Sequence, residues 1–413
     1  MDTQSTEIKR GLEGVVFTET YLSAIDGEVG NLSYCGYDID DLASNASYEE
    51  VAFLLWYKRL PAVPELEMLV NWLRTNRRLP KVVWGIMHSL PDQATPMEAL
   101  RTVASTLSMF DHSCLHAEEG GSSLCRSVSL TGKLPTIIAS FDRLRRDRPP
   151  LEPRLDLGHA ANLLYMMHGT EPDPVSAEAL DTYFVLLADH GMNASTFSAR
   201  VTASTLGDVY SSVVTALGTL KGPLHGGASQ ASMEQLLEIG SVDNVDAWFE
   251  EKVASKGRIY GFGHRVYKAI DPRATILRDL SRQVAERSGN STWFDISCRL
   301  EQRVMDHPYF QQRRIYANVD FFTAPLLYAL DIPIDLFIPM FAIARISGWT
   351  AHVLEQQQHN RLIRPRALYA GPQDLEWSEM GTREPVVEAQ PDIQCVAGQP
   401  ANCPAALSVP PRF

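Results

Sequence analysis

Four short segments gather most of the side chains in this 413-residue chain that could do chemistry: DHGMNAS (189–195), KGPLHGGAS (221–229), GFGHRVYKAIDPR (261–273) and NVDFFTAP (318–325). A fifth, RISGWTAHVLEQQQHNRLIRPR (345–366), adds arginines. His225 lies between Pro223 and the pair Gly226-Gly227, where small residues let a ligand approach the backbone and the next helix can turn its free amides toward an anion. His264 is flanked by Gly261 and Gly263 and followed by Arg265 and Lys268. Asp320 is a carboxylate entering an aromatic run, Phe321-Phe322, and such surroundings raise a carboxyl pKa and strengthen it as a base. Each residue alone has a plainer reading: a satisfied core histidine, a helix cap, a surface ion pair. Their combination favours a site that takes a proton from a substrate and holds an anion.

The formal net charge of −13 argues against nucleic acid as a partner, because neutralising phosphates needs a basic surface. An anionic ligand therefore has to be gripped by a local cluster of Arg, Lys and His. Planar, bidentate recognition of carboxylates is what guanidinium does best.

The segments LKGPLHGGA, GFGHRVYK followed by DPRA, NVDF and ARISGWTAHVLEQ, in that order, resemble the citrate synthase family, of the short bacterial and archaeal type, or its relative 2-methylcitrate synthase. The likeness runs from KRGLEGVVF (9–17) to RPRALYAGP (364–372). It implies an acyl-CoA:oxaloacetate condensing enzyme with His225, His264 and Asp320 as catalytic groups. His190, Arg273, Arg345 and Arg364 would hold oxaloacetate, with Arg364 reaching the site of a partner subunit in a homodimer. Lys256, Arg258, Ile259, Gly261, Gly263 and Lys268 would bind CoA, the turn at 259–263 taking the adenine. Acetyl-CoA, or propionyl-CoA in the 2-methylcitrate alternative, is a substrate, so neither cofactor nor metal is implied. The sequence departs from common family patterns at Ser229 and at Phe322-Thr323-Ala324, and it lacks an acidic residue after His190.

Two rival readings belong to other classes. His112, Cys114 and His116 are close enough to suggest a metal site, but no second cluster at ligand spacing accompanies them. A non-catalytic paralogue acting as a scaffold would typically have lost the residues retained here.

Elements that could position these groups are nearly all helical. Ser47/Glu50 and Thr95-Pro96/Glu98 form helix-start signatures. Apolar residues then recur at helical spacing near 47–56, 95–105, 159–168, 177–190, 205–220, 231–239, 273–287, 295–306 and 323–354. Only residues 14–39 suggest strands, as a short N-terminal hairpin. The expected fold is all-α and citrate synthase-like, with a large helical domain from 1–227 and 327–372. A smaller domain, 228–326, is inserted in it, and 373–413 forms a proline-rich tail. Residues 112–124 suggest a surface loop and 143–156 a loosely held connector.

The six scattered cysteines form no disulfide framework, and the charged N-terminus matches no secretory signal, so a cytoplasmic setting is expected. The apolar stretch 325–344 carries Asp331, Asp335 and three prolines, which favours a buried helix pair over a membrane span. By resemblance, no NADH inhibition is expected, and oxaloacetate closes a cleft between the domains before the acyl-CoA binds.

Overall fold

The computed structural model describes residues 8–111 and 119–383, with side chains unassigned at 119–122. It divides into a compact unit ending at Ile363 and a second unit beginning at Arg364. Among the described residues there are seventeen α-helices and one small sheet.

The helix Phe337–Gln358 is the spine of the first unit, with buried residues on every face. It packs against the helices Tyr48–Tyr57, Glu119–Leu144, Pro174–Leu187, Ala194–Ser204 and Val209–Leu220. It overlaps the apolar stretch 325–344, and 83% of its most apolar window is inside the protein. The polypeptide leaves the α-helical path at 330–336, so the stretch is a pair of buried helices, as its prolines suggested.

Three helices begin on side-chain caps that bear on the chemistry. Asn193, Asp271 and Asn318 each accept a backbone N–H, from Thr196, Arg273 and Asp320 respectively. Pro272, at the first position of its helix, has the φ that position needs and lacks the donor it would leave unpaired. The Thr95/Glu98 box forms in both directions, Glu98 N donating to Thr95 Oγ1 and Thr95 N to Glu98 Oε2.

The N-terminal strands go one step beyond a hairpin. Ser23–Asp26 (β1) pairs antiparallel with Asn31–Tyr34 (β2), which pairs with the short Tyr37–Asp38 (β3). The β1–β2 turn docks onto the His264 segment, Lys268 N donating to Gly27 O at 2.7 Å.

Two expectations fail. Residues from 119 onward are not a loop but the start of the 26-residue helix Glu119–Leu144, whose Gly120-Gly121, serines, threonines and Pro135 hide it from propensity. Burial holds it in place: nearly every residue from 125 to 143 is inside the core. The 143–156 connector is pinned, because Arg143 Nε donates to Pro149 O, Arg77 Nη1 to Arg154 O, and Arg154 N to Asn162 Oδ1. Scattered cysteine spacing gave no disulfide framework; among the described cysteines Cys125 is disulfide-bonded, while Cys35 and Cys298 are free. Spacing along a chain cannot report which thiols meet in space. The cluster His112, Cys114 and His116 lies outside the described residues.

In the second unit, residues 364–383 form no α-helix, in keeping with their lost periodicity. Leu368, Tyr369, Leu375, Trp377 and Met380 are exposed there.

One close approach fixes how the spine meets the turn after the Pro174–Leu187 helix. Gly348 N donates to Ala188 O, and a Cβ on Gly348 would fall 2.2 Å from that oxygen and 2.7 Å from Asp189 Oδ1. Backbone on one side and a buried carboxylate on the other leave no room to give. Gly348→Ala is expected to lower unfolding free energy by about 1–3 kcal/mol, the usual cost of overpacking, measured as a shift in the urea midpoint at unchanged slope.

Candidate active site

The Pro174–Leu187 helix stops three residues short of the expected end, and the residues released form a tight turn, 189–191, that presents His190. The spine supports this turn at successive positions. Arg345 Nε donates to Leu187 O, Gly348 N to Ala188 O, and His352 Nε2 sits 3.2 and 3.3 Å from the two oxygens of Asp189. The His190 ring then meets the His264 ring edge to face at 5.4 Å, and both lie against Tyr267, whose hydroxyl is 3.2 Å from His190 Nε2.

His264 has an assignable proton. Its Nδ1 accepts from the backbone N–H of Val266 (3.0 Å) and of Tyr267 (3.1 Å), so the neutral ring carries its hydrogen on Nε2 and can donate from there. Burial, and then Arg273, pull its pKa down to about 4. His225 is also brought down to about 4, by burial and then by Arg345. Its Nε2 lies 2.8 Å from Ser195 Oγ, which accepts from Trp349 Nε1 and donates to Asn193 Oδ1 at 2.8 Å.

Asp320 is not the helix cap that its spacing allowed; Asn318 is, and Asp320 stands in the first turn behind it. Burial pushes its carboxyl up to about 6, against the pull of Arg273. The residues just before it are zipped to the glycine-flanked loop of His264. Asn318 N donates to Gly261 O, Asn318 Nδ2 to Gly263 O, and Gly263 N to Tyr316 O, around a bridge between Phe262 and Ala317. Gly261 has a φ of +83° and no space for a Cβ, which would lie 2.7 Å from Phe321. The turn at 259–263 and the Asp320 helix are thus one assembly.

Two arginines sit inside. Arg273, 2% exposed, spends two N–H groups on Asp271, and burial, which opposes its charge, is outweighed by that carboxylate so that its pKa rises. Arg345, 1% exposed, has no carboxylate paired to it among the described residues; one N–H goes to Leu187 O and its plane lies over Phe341 at 4.7 Å. Burial pulls its pKa down to about 10 in spite of Asp189 nearby. A buried guanidinium without a partner costs several kcal/mol, a deficit that an incoming carboxylate removes. His190 and Asp320 each feel the charge of both arginines, while His264 feels Arg273 and His225 feels Arg345. Four segments distant in sequence therefore converge around two cations.

Lys256, Arg258 and Lys268 are exposed, Arg258 stacking on Tyr260 at 4.9 Å, while Ile259 is buried. Arg364 opens the second unit and is exposed. Phe322 and Thr323, two of the departures from the family pattern, belong to the core: Phe322 packs on Phe294 and Phe321, and the Thr323 hydroxyl donates to Val319 O.

Sequence reasoning missed Asp189, Ser195, Tyr267, Asp271, Trp349 and His352 as parts of the site. Asp271 carried a signal, since an Asp-Pro pair opening a helix marks a cap. The others act through contacts between distant segments.

The citrate synthase C-terminal domain model matches residues 11–366. A citrate synthase of Haloferax volcanii is 45% identical over 92% of this chain and 100% of its own. A 2-methylcitrate synthase of Mycobacterium tuberculosis is 40% identical over 88% of this chain and 91% of its own. Among solved structures, the citrate synthase of Thermoplasma acidophilum, in ternary complex with carboxymethyl coenzyme A and oxaloacetate, superposes with a TM-score of 0.85 at 30% identity, covering 91% of this chain and all of that one.

The depressed histidines make a direct expectation. In a pH titration followed by nitrogen-15 NMR of the imidazoles, neither His225 nor His264 should take up a proton above about pH 5, and His264 should show its hydrogen on Nε2. A midpoint near 6.5 for either ring, the ordinary histidine value, contradicts the electrostatics described.

Proposed function

The chain belongs to the citrate synthase family and is a condensing enzyme of that kind; from this premise we propose which residues carry the reaction and which acyl-CoA it takes. Asp320 removes a methyl proton from the thioester. Its raised pKa makes it a stronger base than an ordinary carboxylate while leaving it ionised at neutral pH. His225, neutral and oriented by Ser195, donates to the thioester oxygen as it gains charge, which lowers the barrier to the enolate. The enolate carbon attacks the ketone of oxaloacetate, and His264 Nε2–H donates to the oxygen that becomes the hydroxyl. Water then cleaves the thioester and releases CoA.

The observation that carries this reading is a buried arginine with no paired carboxylate among the described residues, in the same site as a half-buried acid whose carboxyl is raised. Arg345 and Arg273, with His190, hold the two carboxylates of oxaloacetate. Arg364 completes the site of a partner subunit in a homodimer. CoA lies along 259–263, with Gly261 and Gly263 against the adenine and Lys256, Arg258 and Lys268 toward its phosphates. Residues 228–326 move as a smaller domain that closes over oxaloacetate before the acyl-CoA binds. The ternary complex of the Thermoplasma relative, with a CoA analogue and oxaloacetate, supports this pair of ligands. We take acetyl-CoA as the preferred donor and the cytoplasm, in the tricarboxylic acid cycle, as the setting. Propionyl-CoA is the second reading, favoured by the 2-methylcitrate synthase relative. The two acyl groups differ by one methylene, a difference of about 1–3 kcal/mol in a pocket.

A thiol-release assay with oxaloacetate and either acetyl-CoA or propionyl-CoA decides the donor by the ratio of kcat/KM. Asp320→Asn should lower turnover by at least ~100-fold, the scale of a lost positioned base; near-normal turnover refutes the assignment. Because a raised carboxyl loses its basic form as pH falls through its own pKa, activity should decline on an acid limb near pH 6. For the shared site, Arg364→Ala and Asp320→Asn are each expected to be inactive. Exchanging their subunits at equal amounts should restore about a quarter of full activity, since half the dimers then hold one intact site. No recovery means that Arg364 does not act across the dimer.

A further inference from the structure

Behind the His190 turn the structure holds a chain of buried polar groups that the reaction itself does not use. Asp189 is fully buried, and its carboxylate accepts from Ser23 Oγ (2.5 Å), from the backbone N–H of Gly191 (3.1 Å) and from His352 Nε2. His352 is buried too, and its Nδ1 lies 3.1 Å from Arg200 Nη1. Because a guanidinium only donates, Nδ1 accepts and the ring directs its Nε2 hydrogen at Asp189. Arg200 also donates to Glu355 Oε2 at 2.7 Å and to Gln356 Oε1 at 3.1 Å, and Glu355 Oε1 accepts from Tyr21 N at 2.9 Å. The carboxylate that closes the 189–191 turn is thus held by the spine from one side and by β1 from the other. It is also the anion that acts most strongly on Arg345, yet the two do not pair.

We propose that His352 is a positioning residue for the oxo-acid: by engaging the Asp189 carboxylate it fixes the turn that presents His190 and leaves the Arg345 guanidinium free for a substrate carboxylate. The role rests on the reaction assigned under Proposed function. Without the His352 donor, Asp189 has lost one of its three partners, and the next cation that acts on it is Arg345. The turn and the arginine would then shift together, at the expense of oxaloacetate and not of the acyl-CoA.

Steady-state kinetics with each substrate varied at saturation of the other separates this from general damage. His352→Leu should raise KM for oxaloacetate about 10-fold or more, as a small misplacement of binding groups does, with KM for the acyl-CoA within about twofold. His352→Gln, whose amide can donate to Asp189 and accept from Arg200, should recover to within about threefold of the unsubstituted enzyme. Ser23→Ala, which removes a donor from the half-buried side, should raise KM for oxaloacetate about threefold, and the melting-temperature rise produced by oxaloacetate should shrink in step. If His352→Leu does not fold, the Ser23→Ala and His352→Gln results decide. Parallel changes in both KM values, equal behaviour of the Leu and Gln variants, or an unchanged KM in Ser23→Ala each overturns the proposal. An unsubstituted enzyme that releases no CoA with oxaloacetate overturns the assigned reaction instead.

Discussion

A positive charge kept inside a helical core, with no carboxylate paired to it among the described residues, is the constraint on which the rest of this structure depends. Arg345 is carried on the spine helix, where its guanidinium lies over Phe341 and donates to the backbone carbonyl of Leu187. Such a group is tolerated only if the surrounding fold is rigid and an anion completes it during the working cycle. Rigidity comes from the same helix, which within three turns also supports Ala188, Asp189 and Ser195.

The two buried cations sort the titratable groups around them. Histidines near them are driven further toward neutrality than burial alone would take them, so they donate hydrogen bonds without carrying charge. The carboxyl of Asp320 is pulled the other way by the same guanidiniums and ends only moderately raised. One arrangement of charge thus produces neutral donors and an ionised base in one place, the pairing that carbon-acid chemistry at neutral pH requires.

Much of this is legible in the sequence, because helix starts, glycine-flanked histidines and local arginines are short-range signals. His225, His264 and Asp320 stand out by their immediate neighbours, and the apolar spacing over 159–168 gives that helix its observed bounds. The features hidden from sequence depend on distant contacts. The Glu119–Leu144 helix is built from residues that favour other conformations and is held by the core around it. Arg77 and Arg143 pin a connector whose composition suggests looseness. Asp189 and His352 stand 163 residues apart and look ordinary until the fold brings them together.

The N-terminal segment touches the centre of the molecule at two points: Ser23 on Asp189, 166 residues away, and Tyr21 on Glu355, 334 residues away. A ribosome releases the first of these partners long before the last, so the opening segment must wait unpaired through most of synthesis. Contacts of such long separation form late because loop closure is entropically costly. Competence therefore cannot arrive before the spine helix, and a nascent chain cut short of it would hold early pieces of the machinery without the helix that aligns them.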